Sequence, residues 1–67
     1  MDNRIEALRR EKGLTQQDLA KRMGVSRQTI ISLESGKYNP SILLAHALAV
    51  FFDKTIEEIF IFGEEEK

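Results

Sequence analysis

An all-α fold, a compact bundle of five short helices, is what this sequence predicts, and three observations predict it. Apolar residues recur at three- and four-residue intervals through most of the chain. Gly13, Gly24, Gly36 and the Asp53-Lys54 pair divide it into pieces of helix length. With 67 residues and no cysteine, no disulfide or thiolate metal site can staple so small a core. Helix packing or oligomerisation must hold it instead. The expected organisation is one domain over residues 1–63 and an acidic tail over 64–67, without internal repeats, linkers or low-complexity segments.

The first helix is expected over Asp2 to Lys12, with Ile5 and Leu8 facing inward and Gly13 stopping it. Arg4, Arg10 and Lys12 lie off that stripe, as solvated cations or as phosphate contacts. Leu14 docks the loop. Thr15 is placed as the N-cap of the second helix, and Asp18 three residues on completes a capping-box-like pair.

The organising stretch is 16–35, QQDLAKRMGVSRQTIISLES. Leu19, Met23, Val25, Ile30 and Leu33 fall where two short helices would meet across a tight turn. Ala20 is the small side chain such a crossing needs. Gly24 can take a positive φ and reverse the chain, and Ser26 can cap the next helix at Gln28 or Thr29. Lys21 and Arg22 point away from the Leu19–Met23 face, toward solvent. The outward face of the second piece carries Arg27, Gln28, Ile31 and Ser32, side chains able to read base edges in a DNA major groove.

Gly36 ends that helix, and GKYNPS forms a loop leading to a fourth helix over Ser41 to Phe52. Ile42, Ala45, Leu48, Ala49 and Phe52 make its inward face. Leu43, Ala47, Val50 and Phe51 make a second apolar face. A helix apolar all round should be buried all round, and a chain this short has little else to cover it. Leu43, Ala47, Val50 and Phe51, with Ile61 and Phe62, are therefore the expected interface of a homodimer. His46 is the sole histidine and has no second ligand-type residue at metal spacing, so it reads as a structural residue rather than a metal ligand or catalyst. After the Asp53-Lys54 turn, Thr55 to Ile59 reads as a fifth helix, with Thr55 and Glu58 as a capping box and Ile56 and Ile59 facing the core. Phe60-Ile61-Phe62 is β-prone, either a small strand paired with the N-terminus or a cover over the core.

The net charge of −1 is divided unevenly. Residues 1–40 hold eight basic and five acidic side chains, and residues 41–67 hold two basic and six acidic. The basic half coincides with the paired helices, as the electrostatic footprint of a polyanion-binding surface requires.

TQQDLAKRMGVSRQTIISLESGK, flanked by LRREKGLT, ESGKYNPS and TIEEIF, resembles the helix-turn-helix of the Xre family, the phage Cro and repressor-like regulators. The likeness runs from about Arg4 to Phe60. It implies a lambda-repressor-like domain that binds double-stranded DNA sequence-specifically, as a homodimeric repressor on an inverted-repeat operator. It further implies that Arg27, Gln28 and Ser32 read bases and Ile31 touches a thymine methyl. Gln16, Ser35, Lys37 and Tyr38 would hold phosphates, and Arg9 would pair with Glu34. The chain departs from the pattern at Asp53-Lys54, where Gly and Val are common, and at His46, where an aliphatic is usual. An antitoxin-like or partner-recruiting module is the alternative, although the toxin-wrapping segment of antitoxins is not visible. An enzyme would have to work with one histidine, no cysteine, no glycine-rich phosphate loop and no convergent carboxylate pair. No cofactor, metal or small-molecule ligand is implied. The start, MDNRIEALRR, lacks a signal-peptide stretch, and the longest apolar run, Ala47 to Phe52, is too short to span a bilayer. A cytoplasmic protein is expected.

Overall fold

Four of the helices begin on a hydroxyl that satisfies one of their own orphan amides. The computed structural model describes residues 2–61, and the elements among them are α1 (Ile5–Glu11), α2 (Gln16–Met23), α3 (Arg27–Glu34), α4 (Ile42–Phe52) and α5 (Ile56–Ile59). Thr15, Ser26, Ser41 and Thr55 cap α2, α3, α4 and α5, each accepting from the amide three residues on. For α2 and α5 the pair is reciprocal, because Asp18 and Glu58 accept from the amides of Thr15 and Thr55. Both carboxyls are held below their ordinary range, chiefly by those backbone hydrogen bonds.

The start of α1 differs from expectation. Residues 2–4 do not join the helix. The Ile61 amide donates to Asp2 O at 2.8 Å and the Arg4 amide to Ile59 O at 2.8 Å. Between them Asn3 and Phe60 form an isolated antiparallel bridge. The β-prone segment thus pairs with the N-terminus through one bridge, and among the described residues it does not extend into a strand. Asn3 also replaces the missing cap, since its Oδ1 accepts from the Ile5 amide at 3.1 Å and its Nδ2 donates to Leu33 O at 2.7 Å. Phe62 and the 64–67 tail lie outside the described residues.

Every helix sends at least one fully buried aliphatic inward: Ile5, Leu19, Ile30, Leu33, Leu48 and Ile59. Burying each is worth about 1.5–3 kcal/mol, the main source of stability in so small a core. Ala20, Ala45, Phe52 and Phe60 complete the cluster.

Two readings of α4 are corrected. Ile42, assigned to the inward face, is 80% exposed, and His46, read as a structural residue in a core position, is also exposed. The helix instead turns Leu44, Ala45, Leu48 and Phe52 to the core. Because its apolar residues surround the axis, no polar stripe fixes its phase. Its end is unusual as well. Asp53 caps α4 in the left-handed region at φ 57° and ψ 47°, a conformation that short polar side chains tolerate but glycine adopts freely. Phe51 is half-buried, edge-on to Phe52 at 5.1 Å between ring centres. Lys12 Nζ and the Arg22 guanidinium lie 5.5 and 5.7 Å from its ring centre.

Candidate nucleic-acid interface

The turn between α2 and α3 sets the site. Gly24 sits at φ 73° and ψ 29°, and the amides of Gly24 and Val25 donate to Lys21 O at 3.3 Å and Ala20 O at 3.0 Å. A Cβ on Gly24 would meet nothing within 4 Å, so the demand for glycine is one of dihedral angle, not of space. Ala20 is only 1% exposed, buried where α2 packs on α3. Ser26 Oγ then accepts from the Thr29 amide at 3.1 Å and starts α3.

With Ile30 and Leu33 buried, α3 has one orientation available to its other side chains. Arg27 and Gln28 are exposed, and Ile31 and Ser32 are half-buried. Eight residues of helix span about 12 Å, comparable to the roughly 12 Å width of the B-DNA major groove.

A buried polar hub locks α3 to the rest. Arg9 Nε donates to Glu34 Oε2 at 2.6 Å and Nη2 to Glu34 Oε1 at 3.3 Å, while Nη1 donates to Leu14 O at 2.8 Å. The two side chains are only 9% and 6% exposed. The hydrogen bond to Glu34 pushes the Arg9 guanidinium up from its ordinary value, against a smaller opposing effect of burial. Gln16 Nε2 donates to the same Glu34 Oε1 at 3.1 Å. One carboxylate therefore joins α1, the start of α2 and the end of α3.

The remaining site residues gather at the end of α3. Ser35 is exposed, its hydroxyl donating to Ser32 O at 2.8 Å and accepting from the Lys37 amide at 3.4 Å. Lys37 is exposed, and Tyr38 is 42% exposed. Lys37 and Tyr38 join Ser26, Gln28, Thr29 and Ser32 around a notch of about 280 Å³. The structure thus brings Gln28, Ser32, Lys37 and Tyr38 together beside α3, while Gln16 stands at the hub. Sequence reasoning missed Ser26 and Thr29 as lining residues. Their spacing to Ser32, at i, i+3 and i+6 counted from the N-cap of α3, was the available signal.

The residues assigned to a dimer interface are carried by α4 and the segment after α5, not by α3. Leu43, Val50 and Ile61 are exposed, at 77%, 66% and 44%. Ala47 and Phe51 are half-buried, and Phe62 is outside the described residues. Among the described residues no group of acidic, histidine and cysteine side chains could hold a metal ion, and no helix is long and apolar enough to cross a membrane.

Comparison with known proteins bears on the same elements. A helix-turn-helix family model, HTH_3, matches residues 5–59. An HTH-type transcriptional regulator of Archaeoglobus fulgidus is 54% identical over 66 residues, covering 98% of this chain and 93% of the relative. The crystal structure of the restriction-modification controller protein C.AhdI from Aeromonas hydrophila superposes with a TM-score of 0.74 at 35% identity, over 85% of this chain and 86% of that one. A SinR–SinI complex superposes with a TM-score of 0.77 at 28% identity, over 96% of this chain and 63% of that one. With its turn, hub and outward α3 face, the chain belongs to the Xre-like helix-turn-helix family, whose members are DNA-binding transcriptional regulators and not enzymes.

Proposed function

We propose that this protein is a sequence-specific repressor that occupies an inverted-repeat operator as a homodimer. The observation that carries the reading is the presence of two exposed surfaces, on different helices, of one small domain. The α3 face offers Arg27, Gln28, Ile31 and Ser32 to base edges. Gln16, Ser35, Lys37 and Tyr38 flank it as phosphate contacts. Arg27 suits bidentate contact to a guanine, and Gln28 suits an adenine.

The α4 face is exposed, apolar and distinct from α3, so a second copy can seat on it without blocking either reading helix. Within Ile42–Phe52 there is no Asp, Glu, Lys or Arg, so two copies of the face meet without charge repulsion. Leu43, Ala47, Val50, Phe51, Ile61 and Phe62 are its candidate residues. Geometry favours pairing too, because two-fold related recognition helices read half-sites about 34 Å apart, whereas one helix reads too few base pairs. Residues 1–63 then form a single DNA-binding and dimerising unit, with 64–67 as its acidic tail. Bound across a promoter, such a dimer represses by excluding other proteins from the same groove.

Selection of bound sequences from random duplex DNA tests the reading. An inverted repeat with centres about 10–10.5 base pairs apart, or a multiple of that, is the expected product. A lone unrepeated half-site, or no enrichment, would overturn the dimeric operator model.

A further inference from the structure

We infer that self-association through α4 is gated by the protonation of His46, so that the pair forms when the imidazole is neutral and separates as it charges. The inference rests on the homodimer proposed above, extends its α4 surface to the exposed Ile42 and His46, and adds its regulation. At about 100° per residue, Ile42, Leu43, His46 and Val50 fall within an outward arc of about 100° on α4. All four are exposed in the structure, with Ile42 at 80%, Leu43 at 77% and Val50 at 66%. Ala47 and Phe51, half-buried, mark the margin of the stripe. His46 stands at the centre, one turn after Ile42 and one turn before Val50. It is the only titratable side chain on an otherwise apolar helix. A second copy that covers Ile42, Leu43 and Val50 cannot avoid covering it.

Burial of a neutral imidazole among aliphatic side chains is tolerable, whereas burial of an imidazolium without a partner is not. Imidazole is also the side chain whose charge ordinarily changes between about pH 5 and 8. Asp53, at the end of α4, and Glu58, on α5, line the hollow that His46 shares with Ala49 and Val50, and Lys54 opposes them there. From α2, which also packs on α4, Lys21 and Arg22 are the charged groups of the last turn, and Lys12, after α1, reaches the Phe51 ring. Arg22 lies over the Phe51 ring, on the margin of the stripe away from His46. Acid therefore penalises the pair through desolvation of the charged imidazole.

The linkage has a definite sign. Pairing excludes the proton, so dissociation takes up as many as two protons per dimer, one at each His46. On acidification the dissociation constant can then rise by up to about 100-fold per pH unit.

Sedimentation equilibrium at pH 7.5, 6.5 and 5.5, at constant ionic strength, tests this on the full chain, His46→Leu and His46→Gln. The expected result is a wild-type dimer whose Kd is about 30-fold or more higher at pH 5.5 than at 7.5. Both variants should dimerise with a Kd that changes by less than about threefold over that range, because neither replacement titrates. A wild-type dimer with a flat Kd would overturn the gating and leave the dimer standing. So would a variant that retains the wild-type pH dependence, since acid would then act elsewhere in the chain. A wild-type chain that stays monomeric at every pH would overturn the dimer and the gating together.

Discussion

The helix-turn-helix and α4 meet in one core, yet they handle their outward sides in opposite ways. In α2 and α3 each residue has a face assigned to it: Leu19, Ala20, Ile30 and Leu33 inward, Arg27 and Gln28 outward, and Glu34 tied to Arg9 and Gln16. In α4 both faces are apolar, and Ile42, Leu43 and Val50 stand in water. The contrast teaches where this protein concentrates its specificity. Polar hydrogen bonds orient the element that reads, because they are directional and costly to leave unmade. The non-directional hydrophobic effect serves the element proposed to pair, where a second copy can supply the missing cover.

The sharpest way to break the first half of that comparison is to remove one side of the hub. Arg9→Leu strands the Glu34 carboxylate among buried groups and should cost about 3–5 kcal/mol in urea unfolding, as should Glu34→Leu. In a double-mutant cycle the pair should be strongly coupled. A coupling near zero would mean that α3 is held by its apolar contacts alone.

The second half is tested by Val50→Glu. Val50 is 66% exposed, so stability of the separated chain should move by no more than about 0.5 kcal/mol. The dimer should lose at least the roughly 1.5–3 kcal/mol expected for burying one such side chain, and operator affinity should fall with it. Sedimentation and thermal melts of one sample separate the two effects. A large loss of monomer stability would show that Val50 belongs to the core of its own chain.

Within the reading surface, two cations are expected to differ. Arg27→Ala should cost about 1–3 kcal/mol on the selected operator and relax preference at one base pair. Lys37→Ala should weaken specific and random duplexes alike and reduce the slope of log affinity against log salt by about 1. Equal losses for Arg27→Ala on both kinds of DNA would remove it from the base-reading set.

Smaller effects sharpen the picture at the end of α4. Asp53→Gly relieves the left-handed residue at φ 57° and should raise stability by about 0.5–1 kcal/mol, read as a higher urea midpoint. The capping box of α5 predicts a modest acid sensitivity. The Glu58 carboxyl is held below its ordinary range by the Thr55 amide. Its contribution is thus fully present above that range and is lost as pH falls through the lowered value. Glu58→Gln should flatten that part of the stability-against-pH curve, and an unchanged curve would show that the cap carries no linkage.

The legible parts of the molecule were those encoded within a few residues. Thr15–Asp18 and Thr55–Glu58 are reciprocal caps at i and i+3, and Gly24 alone supplies the positive φ of the turn. The amphipathic pattern of Leu19, Ile30 and Leu33 assigned those faces before any fold was known. Tertiary structure decided what local pattern leaves degenerate. Helix α4 is apolar on every side, so periodicity could not say whether Ile42 or Leu44 faces the core; the shape of the facing helices chose Leu44. Asp2 and Asn3 were compatible with helix, and backbone pairing with Phe60 and Ile61 drew them out of it. Gln16 could end free or bonded, and its closeness to Glu34, 18 residues away, settled the matter. Caps, turns and amphipathic faces are short-range bargains between neighbouring side chains and backbone, so composition and spacing determine them. The phase of a uniformly apolar helix, the fate of a terminus and the partner of a buried carboxylate depend on groups distant in sequence, and only the assembled core specifies those.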